Sequence, residues 1–394
     1  MKTIHYTYFG NSKKMEDLSD QCADLVVTSP PYPMIEMWDD IFSQQSAAVK
    51  RHLKQKTAWK AFEAMHGIMD EVWSEVFRIL KPGGFACINI GDATRTIKEK
   101  FCLYPNHSRI LSAAMALGFT PLPCILWRKQ TNAPNKFMGS GMLPAGAYVT
   151  LEHEYVLILR KKNKRSFLRP EQKKCRRESA LFWEERNTWF SDVWFDIKGT
   201  RQALGDKGTR KRSAAFPFEL AYRLINMYSV KGDLVVDPFL GMGTTALAAM
   251  TAGRNSVGYE IDRGLNPTIN HVQQGLIAHA QDVIDQRLTA HREFVARREQ
   301  EKGPLKHENC HYGFPVITAQ EKELFINRPL ALEIKSSSCV EVSYETTPQT
   351  PQTKAVSTPT PKGNLKKKKR GRPKKNNQEK LPGKIDTDGQ MTLF

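Results

Sequence analysis

Paired cysteines are missing from this chain. Its seven cysteines (22, 87, 102, 124, 175, 310 and 339) are odd in number and scattered, and none forms a Cys-x-x-Cys pair. Such spacing excludes a disulfide framework and a zinc knuckle, and it predicts free thiols in a reducing compartment. His307-Glu308-Asn309-Cys310-His311 offers candidate ligands, but no second pair completes a tetrahedral set, so no metal is expected. No apolar run reaches the length of a membrane span, and Met1-Lys2-Thr3-Ile4-His5-Tyr6 lacks the apolar core of a signal peptide. A soluble, cytoplasmic protein without a membrane partner is therefore expected. Internal repeats are absent. Negative charge is in short supply too: 41 Asp and Glu face 59 Lys and Arg, a net charge of +18. An excess of that size points to a polyanionic partner. It is also clustered, with ten Lys and Arg between Arg160 and Arg177 against Glu171 alone, and a second block at Lys366-Lys367-Lys368-Lys369-Arg370. From Glu345 onward apolar residues nearly vanish among Thr, Pro, Gln and Lys, too few to offset chain entropy, which predicts disorder over 345–394.

What is present alternates strand and helix signals, the pattern of an α/β fold. Ala23-Asp24-Leu25-Val26-Val27 is a short apolar strand, followed after Tyr32 by a mobile-looking stretch. Met69, Val72, Trp73, Val76 and Leu80 repeat at helical spacing and predict a helix from about Trp59 to Leu80, ended by Lys81-Pro82-Gly83-Gly84. Phe85–Ile90 is the next strand and delivers Gly91-Asp92 at its carboxyl end, where Asp92 either borders a ligand site or caps the following segment. A helix over Ser108–Leu117 leads to Pro121–Arg128 and Glu152–Arg160, two strands suited to an antiparallel pair. The Gly/Pro/Asn-rich loop between them, Thr131–Tyr148, is long enough to be functional. A polar helical pattern runs from Asp262 to about Arg298, and the mixed stretch 306–344 has no assignment.

Two segments carry the chemistry. Thr28-Ser29-Pro30-Pro31-Tyr32 ends an apolar strand and offers a hydroxyl, carbonyls stiffened by two prolines, and an aromatic ring. Leu234-Val235-Val236 runs into Asp237-Pro238-Phe239-Leu240-Gly241-Met242-Gly243-Thr244-Thr245, a strand-to-helix turn whose glycines let the backbone approach a ligand. About twenty residues on, Arg254–Asp262 forms a second strand closing on carboxylates, where a ribose diol would be read. A Gly-x-Gly turn or a Pro-Pro-Tyr alone is unspecific; the conjunction is not. Together these segments resemble the amino-methyltransferases of DNA, which move a methyl group from S-adenosylmethionine (SAM) to the exocyclic nitrogen of cytosine or adenine. Because Ser-Pro-Pro-Tyr precedes the SAM loop, the order is that of the family's beta class.

The resemblance covers roughly residues 20–265 and implies a Rossmann-like SAM-dependent sheet with permuted motif order. It implies a catalytic segment Ser29, Pro30, Pro31 and Tyr32, in which the Ser29 hydroxyl and Pro30 carbonyl accept from the amine. Tyr32 would stack on a base flipped out of duplex DNA. Asp237, Phe239, Gly241, Gly243, Thr244, Thr245 and Glu260 would hold SAM, with Phe216 and Pro217 packed beside it. The implied organisation is a catalytic half over 1–160, a target-recognition region over 161–211, a SAM-binding half over 212–300, an unassigned extension over 301–344 and a disordered tail over 345–394. In the recognition region Arg160, Lys161, Lys162, Lys164 and Arg165 suit phosphate contacts. Trp183, Trp189 and Trp194 suit either base stacking or a core.

Methylation at carbon 5 of cytosine needs a nucleophilic cysteine. Cys124 sits on an apolar strand without the rest of that enzyme type's pattern, so it reads as a core residue. Enzymes that methylate RNA bases or protein glutamine usually place the SAM loop first, with Asn or Asp before Pro-Pro, and this chain departs on both counts. Family members with Ser before Pro-Pro mostly make N4-methylcytosine, which is therefore expected over N6-methyladenine. Lys369-Arg370-Gly371-Arg372-Pro373 resembles an AT-hook, with Arg370 and Arg372 reaching along a narrow minor groove; a generic basic tail is the alternative. Gln390-Met391-Thr392-Leu393-Phe394 resembles a peptide that binds the replication sliding clamp, anchored by Leu393 and Phe394 with Gln390 at the rim. A nucleoid-associated enzyme of a bacterium or phage, with or without a cognate restriction endonuclease, fits these features.

Overall fold

The structure, a computed structural model, describes residues 1–129, 149–199 and 216–347. Its strands are β1 (Lys2–Phe9), β2 (Ala23–Thr28), β3 (Leu80–Ile90), β4 (Ala93–Ile97), β5 (Lys100–Tyr104), β6 (Phe119–Arg128) and β7 (His153–Lys161). They continue with β8 (Val193–Trp194), β9 (Leu234–Asp237), β10 (Asn255–Glu260), β11 (His307–Glu308), β12 (Pro315–Val316), β13 (Pro329–Ser336) and β14 (Cys339–Tyr344). Ten of them make one sheet in the order β13-β14-β1-β10-β9-β2-β3-β7-β6-β8. The five strands from β1 to β3 in that order are parallel, and β7 then runs antiparallel to both β3 and β6.

Parallel strands covered on both faces are apolar throughout, and every residue of β2 is buried. Alternation sorts its side chains between two cores. Val26 and Val236 pack on one face with Met69, Val72, Trp73 and Val76 of the helix Ala58–Ile79. Leu25, Val27 and Val235 pack on the other with Leu220, Leu224 and Ile225 of the helix Phe218–Tyr228 and with Ala248 and Ala249 of the helix Thr244–Thr251. From β9 the chain proceeds to β10 on one side, whereas β2 is followed by β3 on the other. The carboxyl ends of β9 and β2 therefore flank a switch point, the crevice where open α/β sheets bind ligands.

Three expectations change. The stretch after Tyr32 is ordered, with helices Asp39–Gln45 and Ala47–Lys54. The helix over the sheet ends at Ile79 and β3 begins at once, with Gly83 at φ +86° absorbing the turn that the Pro-Gly-Gly breakers announced. The unassigned stretch 306–344 supplies β13 and β14, and β14 adds antiparallel to β1. Cys124 lies on β6, packed against the core as expected. The 130–148 loop, part of the 161–211 region, and the basic and pentapeptide motifs with Arg370, Arg372, Gln390, Leu393 and Phe394 lie outside the described residues.

Candidate active site

Both motifs reach the same crevice. The Thr28 hydroxyl donates to Asp237 Oδ1 at 2.6 Å, joining the last residues of β2 and β9 across 209 positions of sequence. Asp237 also accepts from the Phe239 amide at 3.0 Å. Burial pushes its carboxyl up to about 6, the hydrogen bonds only partly opposing that rise. The carboxylate is 2 % exposed and ties the loop to the end of β2.

The crevice holds about 1200 Å³ of empty space when its open mouth is counted. Ser29, Pro30 and Pro31 line one end, while Asp237, Phe239, Gly241, Thr244, Glu260 and Phe216 line the rest. Gly241, at φ +55°, donates its amide to Glu260 Oε2 at 2.8 Å, and the Asp262 amide donates to Oε1 at 2.8 Å. Glu260 is thereby aimed at the cavity with a lone pair free on each oxygen, the geometry that a ribose diol requires. Burial raises its carboxyl above the ordinary range.

Three predicted cofactor residues stand behind the wall rather than in it. The Thr245 hydroxyl is buried and turned inward, bonding Val27 O at 3.3 Å, which leaves Thr244 as the threonine facing the cavity. Gly243, at φ +89°, caps the helix and closes the turn with its amide on Leu240 O. Pro217 is the N-cap of the helix Phe218–Tyr228.

The Ser29–Tyr32 segment is braced by residues not anticipated from sequence. The Tyr32 hydroxyl donates to Glu154 Oε2 at 2.8 Å and accepts from Asn89 Nδ2 at 2.9 Å, with Ser29 Oγ at 3.2 Å. Burial and the neighbouring Glu154 charge push the phenol well above its ordinary value, so it stays neutral. Gly91 comes so close to this ring that a Cβ would stand 2.9 Å from Tyr32 Cε2. Tyr32 thus offers a partly covered ring rather than an open stacking platform. Asp92 takes the capping role: its Oδ1 accepts from the His107 amide at 3.1 Å, at the start of the helix Asn106–Ala116.

Gly10, Asn11 and Ser12, just beyond β1, also line the cavity, as do Trp38 and, from the helix Asp39–Gln45 that it caps, Ile41, Phe42 and Gln45. Gly10-Asn11 was open to inference, since any parallel strand of this sheet delivers its carboxyl end to the ligand edge. Glu154 carried no motif at all.

The predicted DNA contacts lie elsewhere. Antiparallel β7 carries the chain away from the edge that holds Ser29, and Arg160 pairs with Phe85, midway along β3. Lys161 is 4 % exposed and its ammonium donates to the Phe77, Arg78 and Leu80 carbonyls, capping the helix Ala58–Ile79. Arg165 forms a bidentate pair with Asp233, at 2.6 and 2.9 Å, beside the start of β9. Lys162 and Lys164 follow Arg160 in the same direction, away from the end of β2 that carries Ser29. Trp189 and Trp194 are core residues, and Trp183 stacks on Phe294 at 5.8 Å.

Comparison with known proteins agrees with this geometry. The family model described as DNA methylase, of the N6/N4 type, matches residues 23–270. The chain is 50% identical over 346 residues to the type II methyltransferase M.MthZI of Methanothermobacter thermautotrophicus, spanning 88% of this chain and 96% of that one. It is 47% identical over 282 residues to the type II methyltransferase M.MjaI of Methanocaldococcus jannaschii, 68% of this chain and 90% of that one. The crystal structure of the DNA modification methylase TTHA0409 of Thermus thermophilus, complexed with SAM, superposes with a TM-score of 0.54 at 30% identity, covering 69% of this chain and 96% of that one. Two motifs brought to one crevice, a sheet of matching fold and these similarities place the chain in the N6/N4 family of SAM-dependent DNA amino-methyltransferases.

Proposed function

We propose that the protein methylates the exocyclic N4 of cytosine at a specific site in duplex DNA. The observation that carries this reading is the orientation of Ser29. The one hydrogen of Tyr32 is committed to Glu154, and its oxygen already accepts from Asn89, so Ser29 donates to Tyr32 and keeps its own lone pairs for a substrate N–H. A neutral hydroxyl acceptor beside a fixed proline carbonyl receives the two hydrogens of an amine and turns its lone pair toward the incoming methyl. SAM supplies that methyl as an electrophile on its sulfonium. Ser29 and Pro30 hold the amine, Glu260 and Gly241 orient the cofactor, and the prolines fix the carbonyl before substrate arrives. The target base is out of the stack when this happens, because an amine inside the duplex cannot reach Ser29.

Incubation of unmodified duplex DNA with the enzyme and SAM, followed by nucleoside mass spectrometry, is expected to give N4-methylcytosine. N6-methyladenine as the sole product would reverse the base assignment and leave the enzyme class intact. Two further partners belong to this proposal. Gln390, Leu393 and Phe394 anchor a sliding clamp, and Arg370 with Arg372 reads A·T-rich minor groove. A pull-down with the clamp, comparing the full chain with one ending at Gly389, tests the first. Competition between A·T-rich and G·C-rich duplexes for the isolated 362–380 peptide tests the second. The type II relatives support a cognate endonuclease acting at the same site.

A further inference from the structure

Behind Ser29 a buried polar chain ends on a carboxylate that amine recognition does not use. We propose that Glu154 is the terminal acceptor of the proton shed by the target amine, reached through Ser29 and Tyr32; this rests on the amino-methyltransferase reading of the same site.

The connection is continuous and its direction is fixed. Ser29 Oγ, Tyr32 Oη and Glu154 Oε2 follow one another at 3.2 and 2.8 Å. An ionised carboxylate only accepts, so the phenol hydrogen points at Glu154 and the serine hydrogen points at Tyr32. Asn89 Nδ2 donates to both Tyr32 Oη and Glu154 Oε2, at 2.9 and 2.7 Å, and holds the two in line. Lys129 Nζ bonds the other oxygen, Oε1, at 2.9 Å, so the 9 % exposed carboxylate meets a cation on the side away from Tyr32.

The step balances. The amine lone pair forms the new N–C bond, the C–S bond breaks with its electrons going to sulfur, and the nitrogen becomes cationic. Ser29 Oγ takes one N–H proton while passing its own to Tyr32 Oη. Tyr32 passes its own to Glu154 Oε2, leaving a neutral carboxylic acid. No tyrosinate forms, in keeping with a phenol held far above its usual range. The proton then leaves beside Lys129, whose side chain is 44% exposed.

The test compares Glu154→Gln, Glu154→Asp and Tyr32→Phe with wild type in single-turnover methylation of duplex DNA. SAM affinity by calorimetry and target-base flipping by 2-aminopurine fluorescence are measured alongside. Glu154→Gln and Tyr32→Phe are expected to lose on the order of 10²-fold in rate. A solvent deuterium isotope effect is expected to appear or grow, with SAM affinity and base flipping unchanged. Glu154→Asp, keeping the charge, recovers part of the rate. Wild-type rates in Glu154→Gln, or in Tyr32→Phe where Glu154→Gln does not fold, overturn the inference alone. Loss of SAM affinity in parallel with rate overturns it in favour of a structural role. A wild-type enzyme that methylates no DNA removes the functional reading and the inference together.

Discussion

Ser29 contributes through one oxygen whose lone pairs face the cavity, so Ser29→Ala removes an acceptor without opening the fold. A loss of about 10²–10³-fold in single-turnover rate is expected, the scale of one oriented hydrogen-bonding group in a dry site. Calorimetric SAM affinity is expected to stay at the wild-type level. Gly91 tests the same geometry by steric means. A methyl group there meets the Tyr32 ring 2.9 Å away, and an aromatic ring anchored through its hydroxyl cannot swing aside. Gly91→Ala is therefore expected to slow methylation while leaving the SAM titration unchanged. Asp237 makes a prediction in pH. Its folded value of about 6 stands above the ordinary 3.8, so the folded state holds this proton more tightly than the unfolded one. Stability is then fullest below pH 4 as far as this group is concerned, and falls as pH rises through 6, by about 3 kcal/mol for a shift of that size. Asp237→Asn retains an acceptor for Thr28 and removes the charge. Thermal unfolding from pH 4 to 7 is expected to show a flatter profile for the variant and a higher melting temperature at pH 7.

At the scale of elements, Lys161 distinguishes a charged residue that binds DNA from one that ends a helix. The 22-residue helix Ala58–Ile79 leaves carbonyls unpaired at its carboxyl end, and one buried ammonium satisfies those of Phe77 and Arg78 along with that of Leu80. Lys161→Met is expected to destabilise the protein by about 1–3 kcal/mol, the cost of orphaned buried acceptors. Its affinity for duplex DNA in a gel shift is expected to match wild type. The same residue shows where sequence pattern stops being informative. Met69, Val72, Trp73 and Val76 announce their helix because burial on one face imposes a 3.6-residue period, and the β6–β7 pair is visible for the analogous two-residue reason. Ser29 and Gly241 are legible because their chemistry constrains several neighbours at once. A lysine in a basic run carries no such mark. Whether Lys161 meets solvent or three carbonyls depends on β7 lying antiparallel beside β3, a pairing between residues some seventy positions apart. Glu154 and Asn89 were invisible for the same reason: each sits in an ordinary strand, and only their registry across β3 and β7 brings them to Tyr32. The helix Asp39–Gln45 escaped notice because its stretch is short and weakly periodic, held by the cavity wall it completes.

For the whole molecule, charge and catalysis occupy different places. Residues 348–394 contain twelve Lys and Arg against three acids, half of the net charge of +18. Each phosphate neutralised releases a counterion, so a chain ending at residue 347 is expected to bind duplex DNA with a shallower dependence of log affinity on log salt. Its methylation rate at saturating short duplex is expected to equal that of the full chain, because every residue lining the crevice precedes residue 266. The hydrogen bond between Thr28 and Asp237 has a consequence for biosynthesis. Ribosomes deliver the first partner and then some two hundred more residues before the second, an interval on the order of 10–40 s at ordinary elongation speeds. Throughout it β2 can pair with β3 on one side, but its other edge waits for β9, and β1 waits for β10. A nascent chain therefore carries β1, β2 and β3 with unpaired strand edges and without the loop after β9 that lines the crevice. The crevice is therefore complete only after β9 and β10 have emerged, and until then the exposed strand edges are the chain's point of exposure to aggregation.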